Sequence, residues 1–587
     1  MRLFIPLLAA LPLFQGCDAG STGAAGKGSS SIAVLASGEV AVVNPDQGSV
    51  SFLDPETLAV RATVDVGGEP HSLLELRSGE VLVATYRGGE IVAIDPKAAA
   101  VVARSSPCAG PWGLAASGDG ATVVLACEWD GSVVRVDPAT LTTTTIASGL
   151  RRPRAVAVAP SGDVWVADWV GGMVHDFDAA GVDHASSLVP DDAPSRPALT
   201  KMSANLAAAI VPAFGSVFVA HVLENNTGDM SEPVADDYGT IDGTNPKINP
   251  IVTAVGGAQP ISYAVYDGGS RVYSGPSAMA AFGDHELLVA HVSSGNVAVI
   301  DTSSQRAVAT YKVGFGPSGI AVDAAHHVAF VDDALDGSVS RIDLSKSTDA
   351  SAPKYDADVT LVRQLPSPFS PAALAGRRFF FDATDPHVTP AGVVACASCH
   401  PGGSDDGLVW LEHTSNISLR RRRTKNLANA RTSMAPFHWD AQFSDMSALA
   451  AFTMTNLMGG DGLLVDVSNV QAFVDEIVKP AVLLPTDAAA VGRGAALFQS
   501  FGCVTCHAGA DYTDRLTHAV LVPESLTSDD AFAAADTPGL RGIFANAPYF
   551  HDGRAADLDA VLHSAMGNAD TLTDDQRADL VAFLRSL

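Results

Sequence analysis

The stretch Gly48-Ser-Val-Ser-Phe-Leu-Asp54 returns along the first half of the chain, as Gly89-Glu-Ile-Val-Ala-Ile-Asp95 and as Gly131-Ser-Val-Val-Arg-Val-Asp137. The same glycine-to-aspartate pattern occurs at 172–178, 295–301 and 337–343. Successive aspartates are 41, 42, 41, 123 and 42 residues apart, and 123 is three times 41. An apolar strand at 217–220 lies within the long gap, so we count seven units of about 41 residues.

Each unit alternates apolar and polar residues over short runs, with Gly or Asp-Gly turns between them. This pattern is typical of three or four antiparallel strands per unit. Such units predict propeller blades, because one blade must stack on its neighbours to bury its faces. We predict a seven-bladed β-propeller over residues 31–348, with an insertion at about 180–273. In blade length and Asp-Pro turns it is similar to the YVTN-type bacterial surface propellers, which implies the fold and not the ligand.

The chain is strongly acidic: its 587 residues include 36 Lys and Arg against 65 Asp and Glu, for a net charge of −29. Phosphate binding depends on clustered Lys and Arg, so this balance argues against nucleic acid as a partner. A positively charged docking partner fits the charge better.

The N-terminal residues predict export. Residues 3–14 form an apolar run that is too short to span a bilayer as a helix and has the length of a signal-peptide core. The following Phe14-Gln15-Gly16-Cys17 resembles a bacterial lipoprotein signal, which implies a signal peptide at 1–17, a lipid on Cys17 and a flexible linker at 18–30. Cleavage to a soluble secreted form is the alternative. The lipoprotein reading places the chain at the cell envelope, anchored on the periplasmic side or at the outer surface.

Six of the seven cysteines remain after Cys17, and they fall into three pairs. Cys108 and Cys127 flank a hairpin whose turn is 117–120. In an oxidising compartment we predict a disulfide between them rather than two free thiols.

The other two pairs carry the chemistry. Cys396-Ala-Ser-Cys399-His400 and Cys503-Val-Thr-Cys506-His507 are two CxxCH sequences. Cysteines at i and i+3 of a short helix share a face and can bind both vinyl groups of one haem, while the adjacent histidine reaches the iron. A single CxxC is also compatible with a zinc half-site, a redox pair or a disulfide. Two copies, each followed by His, favour two covalent haem c groups, with His400 and His507 as iron ligands.

The sequence around the two CxxCH sites is duplicated. Segments 376–380 and 494–498 precede the sites, 435–440 and 547–552 follow them, and capping boxes at 468–471 and 573–576 begin a closing helix in each half. We therefore predict a multidomain chain: an N-terminal all-β seven-bladed propeller, a linker at 349–367, and two all-α cytochrome c domains at 368–485 and 486–587.

From about Ser370 to Leu587 the chain resembles the bacterial di-haem cytochrome c peroxidases and their relatives that oxidise partner proteins. The best matching stretch is Thr537-Pro-Gly-Leu-Arg-Gly-Ile-Phe-Ala-Asn-Ala-Pro-Tyr-Phe-His-Asp-Gly-Arg554. The resemblance implies that electrons enter at one haem, which has Met as sixth ligand, and that peroxide reacts at the other.

Methionines occupy the positions where sixth ligands are expected. Met566 follows the His-Asp-Gly motif, where the family places its Met, and His563 is a competing candidate. Gap-free alignment of the two halves places Met454 opposite Met566, and Met458 is one helical turn further on. Met454 or Met458 is therefore our candidate ligand of the first haem, with ordinary core packing as the alternative.

The residues expected of a peroxidase match less well. His413 corresponds loosely to the family's displaceable His, and Leu449 and Gly459 stand where the family uses Gln and Glu to handle peroxide protons. Trp439 matches the family's aromatic residue between the haems, and is either an electron carrier or an ordinary buried Trp. Thr424 replaces an Asn of the calcium site, so the resemblance gives calcium little support.

Two charged segments have open interpretations. The acidic run 224–229 is either an exposed loop or a calcium site, and it lacks EF-hand spacing. The run Arg420 to Arg423 is either a solvated loop or a source of contacts to haem propionates, which we favour because Arg pairs carboxylates bidentately.

Three functions compete at this point. The first is a di-haem electron-transfer protein of the envelope, which exchanges electrons with a small cytochrome or cupredoxin. The second is an enzyme, either a hydrogen-peroxide-reducing cytochrome c peroxidase or an oxidase of a partner protein. The third is a propeller binding protein with accessory haem domains. The absent Gln and Glu and the methionines favour the first.

Overall fold

The computed structural model describes residues 28–188, 202–225, 248–256, 261, 273–345, 359–363, 365–390, 392–414, 417–429, 431–462, 466–483, 487–519, 534–564 and 569–587. The predicted signal peptide, Cys17 and nearly all of the predicted linker at 18–30 lie outside these residues.

The first half folds into seven antiparallel sheets whose strands follow one another in chain order. The first three sheets are β1 (Ile32–Val34), β2 (Val40–Asn44), β3 (Ser49–Leu53) and β4 (Val60–Asp65); β5 (Pro70–Glu75), β6 (Val81–Thr85), β7 (Glu90–Asp95) and β8 (Ala100–Ser105); and β9 (Pro111–Ala116), β10 (Val123–Cys127), β11 (Ser132–Val136) and β12 (Thr143–Ser148). The next two are β13 (Pro153–Val158), β14 (Val164–Asp168), β15 (Met173–Phe177) and β16 (Ser186–Ser187); and β17 (Met202–Ala213), β18 (Ser216–Asn225) and β19 (Ile248–Ala254). The last two are β20 (Pro276–Phe282), β21 (Glu286–His291), β22 (Asn296–Asp301) and β23 (Arg306–Lys312); and β24 (Pro317–Asp323), β25 (Val328–Asp333), β26 (Ser338–Asp343) and β27 (Val359–Arg363).

The sheets form a closed seven-bladed propeller. The first strands of successive blades pack against one another around the centre, and β1 of the first blade packs on β24 of the last. This confirms the predicted propeller. The interval at about 180–273, predicted as an insertion, contains the three described strands of the fifth blade. Part of the predicted linker at 349–367 forms β27, which pairs with β26 and completes the seventh blade.

The repeated motif has a direct structural cause. Its glycine has a positive φ of 59–68° at the turn before the third strand, a conformation that glycine adopts without steric cost. Its aspartate accepts hydrogen bonds from backbone N–H groups two or three residues later, as Asp54 does from Glu56 and Thr57 at 3.1 and 2.8 Å. These side-chain-capped turns lead into the fourth strand of the blade.

Cys108 and Cys127 form a disulfide with their Cα atoms 6.0 Å apart. It connects the segment before β9 to the end of β10.

The C-terminal half is mainly helical. Its helices are α1 (Pro371–Phe381), α2 (Cys396–Cys399), α3 (Met446–Phe452), α4 (Val467–Glu476), α5 (Ala488–Ser500), α6 (Leu558–His563) and α7 (Asp574–Arg585). A π-helix at Thr453–Leu457 extends α3. The first domain also contains a hairpin of β28 (Val409–Thr414) and β29 (Ile417–Arg423), and the second a short pair of β30 (Thr517–His518) and β31 (Ala535–Asp536). The sequence prediction of all-α domains did not anticipate this hairpin.

The duplication is visible in the structure. An isolated bridge joins Phe437 to Phe443 in the first domain, and the equivalent bridge joins Tyr549 to Ala555 in the second. Each domain also packs its first long helix on its last, α1 on α4 and α5 on α7. A glycine stands at each crossing: a Cβ on Gly376 would overlap the carbonyl oxygen of Asn469, and one on Gly494 would overlap that of Asp579.

The helical region covers one face of the propeller. This face is formed by the connections between second and third strands and by those between blades. Six blades contact the helical region, and their contact residues include Gln47, Arg87, Trp129, Trp169, Ser293 and Leu335. The fifth blade contacts it through Asn205, which donates to the carbonyl oxygen of Asp406 at 2.7 Å. This face of the propeller is therefore occupied by the chain's own cytochrome region.

The glycine at the second crossing gives a stability prediction. We expect Gly494→Ala to destabilise the second domain by about 1–3 kcal/mol, because the new methyl group would be forced against the backbone of α7. The matched control is Gly492→Ala in the same helix, where a Cβ meets nothing within 4 Å. We expect that variant to gain about 0.4–1 kcal/mol. Urea denaturation of both variants measures the difference, and equal midpoints would contradict the close crossing.

Candidate haem centres

The first CxxCH sequence forms a compact turn that presents its reactive groups together. Cys396–Cys399 is one turn of α-helix, and the backbone N–H of His400 donates to the carbonyl oxygen of Cys396 at 2.9 Å. The second sequence has the same turn: the N–H of His507 donates to the carbonyl oxygen of Cys503 at 2.9 Å. In each site the two thiols and the histidine come from one short segment, which is the arrangement that thioether attachment of haem requires.

Both histidines have one ring nitrogen fixed by the backbone. Nδ1 of His400 donates to the carbonyl oxygen of Ser404 at 3.2 Å, and Nδ1 of His507 donates to that of Tyr512 at 3.0 Å. This hydrogen bond leaves Nε2 as the nitrogen with a free lone pair. Burial lowers the pKa of both imidazoles, so both are neutral at pH 7. A neutral imidazole with an available Nε2 fits axial ligation of haem iron.

The zinc alternative does not fit the arrangement of the thiols. Cys396 and Cys399 pack against the apolar core of the first domain, whereas Cys503 packs against that of the second. Among the described residues, the one group of three metal-ligand side chains within 4.8 Å of one another is Cys506, Asp514 and His518. A tetrahedral four-cysteine site is therefore not formed in the described part of the chain.

The candidate methionines of the first domain lie beside its cysteines. Met454 is in the π-helix and Met458 directly follows it, and each is only 4% exposed. Both belong to the same apolar cluster, against which Cys396 and Cys399 pack. A single turn of π-helix is often found at a functional site, because it redirects the side chains that follow. The structure thus places both thioethers in the core next to the first CxxCH.

The other predicted ligands belong to the second domain and to the hairpin of the first. Met566 lies outside the described residues, and His563 ends α6, where its Nε2 is 3.3 Å from the Asp559 carboxylate. His413 lies on β28, but its side chain is outside the description. The second haem's sixth ligand and the displaceable His therefore stay predictions.

Trp439 lies where the two cytochrome domains meet. Its Nε1 donates to the carbonyl oxygen of Arg423 at 2.7 Å, and its ring centroid is 6.4 Å from that of His551 in the second domain. The Nζ atom of Lys425 lies over the Trp439 ring, 5.2 Å from its centroid. The same ammonium group donates to the Asp536 carboxylate of the second domain at 2.8 Å. Trp439 is thus part of the contact between the domains that carry the two CxxCH sequences.

Two members of the arginine run are buried rather than solvated. The guanidinium of Arg423 is buried and donates to Asp405 at 2.7 Å. Arg422 is 8% exposed and donates to the carbonyl oxygen of Arg421 at 2.7 Å. Arg423 is therefore held by a protein carboxylate, and the predicted propionate contact stays a prediction for its neighbours.

Sequence reasoning missed the two aspartates that follow the first CxxCH. Asp405 is buried and accepts from Arg423, from Asn426 at 3.0 Å and from the N–H of Gly407 at 2.9 Å. Its carbonyl oxygen accepts from Arg152 of the propeller at 3.2 Å. The only sequence signal was their position, five and six residues after His400 in a segment without other charges.

Asp406 and Glu224 form a second missed group. Asp406 is buried and accepts from Trp410 Nε1 at 2.8 Å and from the N–H of Leu408 at 2.9 Å. Burial raises the pKa of Asp406 to about 7. Glu224, at the end of β18, is 1% exposed rather than part of an exposed acidic loop, while 226–229 lie outside the description. Burial and the Asp406 carboxylate raise the pKa of Glu224 well above its ordinary range.

A family model for cytochrome c matches residues 491–587. The chain is 27% identical over 288 residues to the methylamine utilization protein MauG of Methylorubrum extorquens, an alignment that covers 38% of this chain and 79% of that protein. It is 25% identical over 273 residues to the cytochrome c551 peroxidase of Nitrosomonas europaea, covering 36% of this chain and 78% of that protein.

Among solved structures, hydrazine synthase of Kuenenia stuttgartiensis is similar with a TM-score of 0.44 and 17% identity, over 57% of this chain and 100% of that chain. That similarity is too weak to support an inference about function.

These comparisons confirm the resemblance to di-haem peroxidases and their relatives. They also confirm that the region that follows the propeller in the sequence is of the cytochrome c type. Covalently bound haem c is the cofactor that they support. Within the described residues, no helix combines the length and apolar character needed to cross a bilayer.

The buried Asp405–Arg423 pair gives a second prediction. We expect Asp405→Asn to cost about 3–5 kcal/mol, because it leaves the Arg423 guanidinium buried without its carboxylate. The matched control is Asp475→Asn, whose carboxylate is 36% exposed and 3.9 Å from Arg431. We expect that variant to lose less than about 1 kcal/mol. Denaturant unfolding followed by haem absorbance measures both, and similar small losses would show that Asp405 is dispensable.

Proposed function

We propose that the protein is an exported di-haem c-type cytochrome that transfers electrons in the cell envelope. The observation that carries this proposal is the burial of Met454 and Met458 in the apolar cluster that also receives Cys396 and Cys399. A thioether beside the first haem favours a six-coordinate iron of raised potential, which suits electron transfer and blocks the iron to peroxide.

Haem c, when bound, supplies a one-electron iron couple. The protein's own contribution is ligation and burial. His400 and His507 each offer a neutral Nε2 because the backbone holds Nδ1. Met454 or Met458 would offer a sulfur ligand at the first site, and Met566 is proposed to do so at the second.

The contact between the domains supports electron exchange within one chain. Trp439 of the first domain faces His551 of the second, and the N–H of Arg423 donates to the carbonyl oxygen of His551 at 2.6 Å. The Lys425 cation near the Trp439 ring disfavours removal of an electron from that ring. Trp439 is therefore proposed to bridge the two sites without itself being oxidised.

Charge and export define the proposed partner. The net charge of −29 favours a positively charged redox protein, which we propose is a small cytochrome or cupredoxin. From the lipoprotein signal we propose that Cys17 carries a lipid and that the protein is located on the periplasmic side or outer surface of the envelope.

A second candidate function is reduction of hydrogen peroxide, and the relative named cytochrome c551 peroxidase favours it. The residues available oppose it. Leu449 packs in an apolar cluster and Gly459 has no side chain, so neither position supplies a general acid or base for O–O cleavage.

Spectroscopy distinguishes the two functions. We expect the matured protein to carry two haems by pyridine haemochrome assay, both low-spin by EPR in the oxidised and half-reduced states. We expect hydrogen peroxide to leave the half-reduced spectrum unchanged. A high-spin haem that appears on half-reduction and is consumed by peroxide would contradict electron transfer and support the peroxidase.

The methionine assignment has its own test. We expect one of the variants Met454→Leu and Met458→Leu to convert the first haem to high spin, because leucine keeps the apolar volume but removes the sulfur. The control is Met446→Leu, a buried methionine in a separate cluster. Optical and EPR spectra of the oxidised variants measure the change. Unaltered spectra in both single variants and in the double variant would exclude methionine from the first iron.

A further inference from the structure

A carboxyl group from the propeller is buried against the first haem domain without a charge partner. Glu224 is 1% exposed, and its Oε2 has no hydrogen-bond partner in the structure as described. It lies at the end of β18, two residues after Val222, so the two side chains share one face of the strand. Val222 belongs to the apolar cluster of Met454 and Met458, against which Cys396 and Cys399 pack.

The cytochrome side of this contact is Asp406. Its backbone N–H donates to the carbonyl oxygen of Cys399 at 3.0 Å, and its carbonyl oxygen accepts from Asn205 of the propeller. Its carboxylate is close enough to Glu224 to act electrostatically on it. Asp406 therefore links Glu224 electrostatically to the segment that carries the first CxxCH.

Few charged or titratable groups surround Glu224 in the described residues. The flanking strands β17 and β19 contain no acidic or basic residue. His221, on the same strand, projects from the opposite face and bonds Thr253 at 2.8 Å. On the cytochrome side the Asp406 carboxylate acts electrostatically on Glu224, and the adjacent Asp405 is already neutralised by Arg423. No cation in the described residues is paired with Glu224.

Two neighbouring buried carboxyls without a cation cannot both be ionised at low cost, so the pair has a raised affinity for one proton. Hydrogen bonds decide where it resides. Asp406 receives donors from Trp410 and Leu408, which stabilise its ionised form. Glu224 Oε2 receives none, so the proton is more stable on Glu224.

We propose that Glu224 is the proton-binding site coupled to reduction of the haem attached at Cys396 and Cys399. While the iron is oxidised, its positive charge favours the ionised Glu224 carboxylate. One electron from the redox partner removes that charge, and one proton from bulk solvent then binds Glu224; both leave again on oxidation. The physical cause is reciprocal: the added negative charge raises the affinity of the buried carboxylate for a proton, and the bound proton stabilises the reduced state. The inference requires haem at the first site, but it does not depend on the identity of the partner or on peroxide chemistry.

Potentiometric titration of the two-haem protein tests this inference. We expect the midpoint potential of the first haem to fall as pH rises, with a slope approaching the about 59 mV per tenfold change in proton concentration that a one-electron couple gives. Glu224→Gln, which keeps the shape and removes the proton equilibrium, is expected to flatten that slope and leave the second haem unchanged.

The matched control is Asp333→Asn, a buried carboxyl of the seventh blade that bonds Ser340 at 2.6 Å and lies outside the cluster of Met454 and Met458. We expect it to keep the wild-type slope. As a second readout, the reduced-minus-oxidised infrared spectrum should show a protonated carboxyl band that Glu224→Gln removes. A two-haem protein whose first potential does not vary with pH, or varies equally in Glu224→Gln, would overturn the inference while leaving electron transfer intact.

Discussion

The buried dipeptide Asp405-Asp406 is the constraint on which the arrangement of the molecule depends. It connects three parts of the chain. The Asp405 carboxylate accepts from Arg423 on the hairpin, the two carbonyl oxygens accept from Arg152 and Asn205 on the propeller, and the Asp406 N–H donates to the backbone of the first CxxCH. Asn426 extends the network, because its amide donates both to Asp405 and, at 2.9 Å, to Asn546 of the second domain. Satisfied buried polar networks of this kind specify one geometry, since each broken member leaves a costly unpaired group.

The cytochrome region also reinforces the closure of the propeller. The ring closes where the first blade meets the last, through a shared apolar cluster and a contact between Ser31 and Ser318 at 3.1 Å. Arg377 of α1 spans this seam, donating to Asp46 of the first blade and to the carbonyl oxygen of Leu335 of the last, both at 2.9 Å. The first cytochrome domain therefore stabilises the propeller that carries it, and the propeller in turn contributes buried groups to the surroundings of the first CxxCH.

The sequence predicted what local spacing determines. The turn aspartates such as Asp54 revealed the blades because each one caps its own turn. The two CxxCH sequences predicted haem sites because the reactive groups of such a motif fit within one helical turn. The sequence did not reveal β27, which begins at Val359 and pairs with β26, a strand that ends at Asp343, nor the hairpin that contains Arg423. Glu224 was expected in an exposed loop because its burial depends on a domain almost two hundred residues later in the chain. Long-range packing decides these features, and one sequence does not encode it in a readable pattern.

We propose that these contacts hold two haem centres in one chain close enough to exchange electrons. The direct measurement is a pulse of reducing radical in substoichiometric amount, with the absorbance of both haems followed at several protein concentrations. The account predicts a first-order phase in which one haem is oxidised as the other is reduced, at a rate independent of protein concentration. A transfer rate proportional to protein concentration, or no transfer between the haems, would contradict it.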